Sequence, residues 1–164
     1  MRISYKADFF EEVKRKITSQ GFRIVGLDPS QSWGGSLMID ESQAQRFADL
    51  FFQDILQAQS IEYTSNPSKP KVLVIEPKQA IAWQYHQRRV EWWQVIAGEV
   101  GVIISDDDEE RKLLIKQPKD ILELKPGKRH RLVGLDDWAV IAQLWNHVDL
   151  RYPSDDADVI RLKL

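Results

Sequence analysis

Few side chains in this sequence can do chemistry. It has no cysteine, which excludes disulfides, thiolate metal sites and thiol nucleophiles, and only three histidines, His86, His130 and His147. Gln84 and His86 stand two apart in a strand-like run, so their side chains share one face. Glu91 lies five residues beyond His86, and His130 follows the turn-forming Lys125-Pro126-Gly127-Lys128. Closing a β-barrel brings two such separated strand pairs together. Imidazoles and a carboxylate converging inside a barrel make a site for a divalent ion such as Zn, Mn, Ni, Co or Fe. Gln84 is the weakest donor, because a neutral amide ligates soft metals poorly and can instead bond to a metal-bound water. The plainer alternative for His86 is a core histidine bonded to a backbone carbonyl. His147 lies beyond the last core strand and reads as structural or exposed.

The elements that must position these residues change character along the chain. Phe9, Phe10, Val13 and Ile17 recur at helical spacing, predicting a helix over residues 8–20 that Asp8 caps and Gly21 follows. Short strands are expected over 22–27, closed by Asp28-Pro29-Ser30, and over 35–39, with a second helix over 42–57. Residues 65–70 read as a polar, proline-bearing connector. Beyond it, short apolar runs alternate with turns, the pattern of an all-β sandwich or barrel. Residues 1–58 are thus read as a helix-and-strand extension packed on a barrel formed by residues 59–164. The acidic run 106–110 lacks the spacing of a calcium loop and reads as a solvated hairpin tip.

The spacing of Gln84, His86, Glu91 and Gly98, with Gly127 and His130 later, resembles the two motifs of the cupin superfamily. A narrower resemblance covers residues 31–162. The run from Trp83 to Trp93 and the run from Pro126 to Leu132 are similar to type II mannose-6-phosphate isomerases. So are Ser32-Trp33-Gly34-Gly35-Ser36 and the tail from Asp155 to Arg161. The chain departs from that family at Gln31-Ser32, where the family has arginine and proline. It departs again where Gln87 and Arg88 replace the family's histidine-rich stretch, and at Gly134 in place of asparagine. The resemblance implies a mainly β cupin jelly-roll barrel with a short N-terminal helical extension. It also implies a divalent metal held by Gln84, His86, Glu91 and His130, and a homodimer joined along a barrel edge.

The expected reaction is then an aldose–ketose shift on a sugar phosphate. Arg88, Arg89, Lys128, Arg129 and Arg131 cluster near the proposed ligands in sequence, and phosphate takes bidentate hydrogen bonds from guanidinium groups. Arg131 is favoured for that role, and Lys128 is a candidate for the proton carrier. Trp83, Trp92 and Trp93 are read as filling the barrel or an interface more readily than as stacking on sugar. Two alternatives stay open: a non-catalytic cupin that binds a sugar or sugar phosphate, and an Fe(II) oxygenase. The 164 residues, 43% hydrophobic and 29% charged, fit one globular unit. A net charge of −2 gives no footprint for nucleic acid. No apolar run suits a membrane or signal segment, and the missing cysteines fit a reducing cytoplasm.

Overall fold

The computed structural model describes residues 2–58 and 67–164. Helix α1 (Arg2–Ser19) leads into strands β1 (Ile24–Gln31) and β2 (Gly34–Ile39). A 3-10 turn (Glu41–Gln43) and helices α2 (Ala44–Phe51) and α3 (Gln53–Ala58) come next. The remaining strands are β3 (Pro67–Ile75), β4 (Trp83–Tyr85), β5 (Arg89–Ala97), β6 (Val100–Ser105) and β7 (Leu114–Lys116). They continue with β8 (Ile121–Leu124), β9 (Arg129–Gly134), β10 (Ala139–His147) and β11 (Ile160–Lys163). Two antiparallel sheets result, ordered β1-β2-β3-β10-β5-β8 and β11-β4-β9-β6-β7, facing one another as a jelly roll. Among the described residues, no helix is long and apolar enough to cross a membrane.

The central strands of the larger sheet, β3, β10 and β5, are largely buried on both faces, and their sequences reflect this. Val72 and Val74 join a cluster with Phe10, Phe47, Phe52 and Trp92 beneath the helices, whereas Leu73 and Ile75 join Trp93, Val95 and Leu132 inside the barrel. Strands covered on both sides read as continuous apolar runs, with no alternation between apolar and polar residues. The pleat therefore sends Trp92 towards the helices and its neighbours Glu91 and Trp93 into the barrel. Trp83, Trp92 and Trp93 are all buried. Trp92 lies 5.7 Å from the Phe52 ring, and its Nε1–H donates to Glu123 at 3.1 Å. Trp92→Ala is expected to cost about 4 kcal/mol in denaturant unfolding, the usual price of a large core truncation. Metal binding should survive, because the ring faces away from Glu91.

Several elements differ from expectation for local reasons. Helix α1 starts at Arg2, so Asp8 lies inside it and is not its cap. The second helix is divided: Phe52 leaves helical geometry at φ −131° and ψ 23°, which separates α2 from α3 while its ring stays buried in the core. Strand β1 runs through Pro29 to Gln31, because β1 is an edge strand and can spare one N–H. The expected connector is strand from Pro67 onward. There β3 has passed the end of β2 and pairs only with β10, across an irregularity between Gln143 and Trp145. Residues 65 and 66 of that connector lie outside the described residues.

Candidate metal centre

Three of the expected ligands converge. One nitrogen each of His86 and His130 and a carboxylate oxygen of Glu91 all lie within 4.8 Å of one another, and all three residues are buried. Glu91 arrives on the inner face of β5, His130 on the inner face of β9, and His86 from the loop just past β4. The register sets Gln84 directly opposite His130. Gln84 lines the same cavity as His86 and Glu91.

Backbone carbonyls fix both histidine tautomers. His86 Nδ1 lies 2.6 Å from the carbonyl of Asp158, and His130 Nδ1 lies 2.8 Å from that of Lys128. A carbonyl only accepts, so each Nδ1 carries the proton and each Nε2 presents a lone pair. Those two Nε2 atoms face Glu91, at 3.6 Å for His86 and 3.7 Å for His130. The His130 Nε2 is buried and has no hydrogen-bond partner among the described residues. Two oriented imidazole lone pairs around a buried carboxylate, one of them unsatisfied, fit a divalent first-row cation. The tail holds this arrangement in place. The Asp158 carboxylate accepts from the backbone N–H groups of Gln87 and Arg88, both at 2.9 Å, and from Ser154 Oγ at 2.7 Å. Burial pushes the Asp158 pKa up, but these bonds outweigh it and hold the group below its ordinary value.

The charges are matched without a metal. Burial pushes the His130 pKa down from 6.5 to about 4, so the ring is neutral at pH 7. Burial alone would raise Glu91, yet attraction from His86, Arg89 and His130 brings it from 4.5 to about 2. With His130 neutral, the permanent cation beside Glu91 is Arg89, which is itself buried. Its Nε–H donates to Glu91 Oε1 at 3.1 Å, and Nη2 lies 3.2 Å from His86 Nε2. Its sequence position within the basic cluster did not separate Arg89 from its neighbours.

The other cations of that cluster are engaged elsewhere. The acidic run lies between β6 and β7 and folds back on them. Asp106 pairs with Lys128 at 2.5 Å, Asp108 with Arg129 at 2.8 Å and Glu110 with Arg131 at 3.4 Å. Arg129 and Arg131 flank His130 on the opposite face of β9, as strand alternation requires. Arg131 and Lys128, the expected substrate-side residues, therefore do not line the cavity. The cavity, about 460 Å³, is lined by His86 and Glu91 of the triad and by Lys71, Gln84, Gln143, Trp145 and Arg161 among others. Among the described residues neither Lys71 nor Arg161 has an ion-pair partner within 4 Å. Lys71 Nζ sits 5.5 Å from the Trp145 ring centroid, and burial lowers its pKa. Sequence reasoning missed Lys71, which reads only as the polar start of an apolar strand. His147 stands apart from the triad and accepts from the Ser154 N–H at 3.0 Å.

Gly134, where the resemblance expects asparagine, is required by the backbone. Its N–H donates to the Gln79 carbonyl at 2.6 Å, and a Cβ would lie 2.1 Å from the Glu76 carbonyl oxygen.

No family model and no curated protein sequence matches the chain. Solved structures do match its fold. The capsular polysaccharide assembling protein CapF from Staphylococcus aureus superposes with a TM-score of 0.55 at 12% identity, covering 85% of this chain and 34% of that one. A mutant of the oxalate decarboxylase OxdC from Bacillus subtilis superposes with a TM-score of 0.56 at 14% identity, covering 84% and 30%. The chain thus spans about a third of the length of these neighbours. Identities this low carry the architecture and nothing finer: the chain has the cupin jelly-roll fold, with a buried His–Glu–His group on the inner faces of its barrel.

Proposed function

We propose that this chain is a metal-dependent enzyme that isomerises a sugar phosphate between aldose and ketose forms. The observation that carries the reading is the buried triad, two of whose members, His86 and Glu91, line a polar cavity that also holds Lys71 and Arg161, neither with an ion-pair partner among the described residues. The similarity of four sequence segments to type II mannose-6-phosphate isomerases supports it. A divalent ion held by His86, Glu91 and His130 would supply Lewis-acid polarisation of the substrate's carbonyl and hydroxyl oxygens. Gln84 and Gln143 offer amides to the sugar hydroxyls. The Arg161 guanidinium, which lines the cavity, holds the phosphate by bidentate hydrogen bonds. Lys71 replaces Lys128 as the proton carrier. Burial lowers its pKa and so favours the free amine, the form that takes the C2 proton and returns it to C1.

The test is deuterium exchange at C2 of hexose and heptose phosphates in D2O, with Mn, Zn, Co or Ni supplied. Exchange is expected in the wild type, and Lys71→Met should slow it by about 100-fold while sugar-phosphate binding is retained. No exchange with any of these phosphates overturns the reading. A second reading, oxygen chemistry at Fe(II), is favoured by the same two-histidine, one-carboxylate donor set. Oxygen consumption with Fe(II), without C2 exchange, would select it.

A further inference from the structure

We infer that Arg89 is an internal competitor for the metal-ligand atoms, so that His86 serves either this guanidinium or a divalent ion but not both. The inference rests on reading the triad as a metal site. Its core is the single lone pair of His86. The proton on Nδ1 is committed to the Asp158 carbonyl at 2.6 Å, which leaves Nε2 as the acceptor, and Arg89 Nη2 donates to it at 3.2 Å. A lone pair that accepts an N–H cannot also form a coordinate bond. Glu91 Oε1 is engaged too, receiving Arg89 Nε–H at 3.1 Å with Nη2 at 3.0 Å. By contrast, among the described residues His130 Nε2 is unpartnered, and Glu91 Oε2 accepts only from Trp93 Nε1–H, at 3.1 Å.

The guanidinium also has holds that do not involve the triad. Its Cζ lies 3.5 Å from the Trp145 ring centroid. Nη1 donates to Ser154 Oγ at 3.1 Å and to the Asp155 carbonyl at 3.3 Å. Arg89 can therefore give up His86 and remain satisfied. Before metal enters, one buried positive charge faces one buried negative charge. A divalent ion adds two more positive charges close to the guanidinium, and like charges at such range repel strongly in a buried site. Arg89 thus keeps the metal-free triad folded and weakens the site's affinity for metal.

The experiment compares cobalt binding, followed by its visible absorption, in the wild type, Arg89→Met and His130→Ala. Arg89→Met is expected to bind cobalt at least tenfold more tightly than the wild type, equivalent to about 1.4 kcal/mol. Without metal it should melt below the wild type, and cobalt should restore it. If Arg89→Met does not fold without metal, the wild type carries the test: its Arg89 Nε–H resonance should move in step with zinc saturation, and an unmoved resonance overturns the inference. Suppose the wild type binds cobalt, His130→Ala does not, and Arg89→Met binds no more tightly than the wild type. The competitor is then overturned while the triad stands. Cobalt binding by neither the wild type nor Arg89→Met overturns both together.

Discussion

Glu91→Ala is expected to lower metal affinity by well over the 10–100-fold typical of losing an outer-shell partner and to destabilise the metal-free protein by about 4 kcal/mol. The carboxylate is the triad's only anion and is almost wholly buried. It accepts from Arg89 Nε–H and Trp93 Nε1–H, both at 3.1 Å. Truncating it strands a buried guanidinium without its carboxylate and leaves a buried indole N–H without an acceptor. Breaking one side of a buried pair costs more than removing both sides, because the surviving charge is left uncompensated. The double variant Glu91→Ala/Arg89→Met should therefore be more stable than Glu91→Ala alone. Urea unfolding of the wild type, both single variants and the double variant measures this, with cobalt titration reporting affinity. If Glu91→Ala unfolds within about 0.5 kcal/mol of the wild type, in the range of an ordinary surface change, Glu91 is not the electrostatic centre of the barrel.

The parts of the structure legible in the sequence are those set by strand periodicity. Runs such as Val72-Leu73-Val74-Ile75 announce a sheet covered on both faces, and the two-residue step from Gln84 to His86 puts both on one side. Glu91 and His130 are legible because a barrel must bring their strands together. The cations are not legible in this way. Five of them crowd the sequence near His86 and His130, and choosing among them needs facts that spacing does not contain. Strand alternation turns Arg129 and Arg131 outward once His130 faces in, and the acidic run at 106–110 folds back to neutralise them together with Lys128. That run reads as a solvated tip because its partners are distant in sequence. Arg89 differs from Arg88 only by facing the barrel, where Glu91, two residues on, shares its side of the strand. The bend at Phe52 and the proline-bearing start of β3 are tertiary effects: a buried ring in one case, and a neighbouring strand that has already ended in the other.

Acid should unfold the protein in two overlapping steps, both from this centre. His130 has a folded pKa of about 4 against 6.5 unfolded, because burial disfavours its cation. Between those values the unfolded chain binds the proton and the folded chain does not, so stability falls as pH drops from about 6.5 to 4, by about 3 kcal/mol in all. Glu91 acts in the same direction. Its pKa of about 2 in the fold against 4.5 unfolded contributes stability that is fully present above 4.5 and lost as pH falls through 2. Urea unfolding at intervals from pH 7.5 to 3 should thus show a decline that begins near 6.5, well above the range in which surface carboxylates titrate. His130→Gln should remove the upper part of that decline and leave the lower part. A saturating divalent ion should raise stability at pH 7 by mass action and lose that effect on acidification, because protons compete for the same Nε2 lone pairs. A wild type whose stability is flat between pH 6.5 and 5 would mean that His130 is not held neutral by burial, and its free Nε2 would lose its standing as a metal ligand.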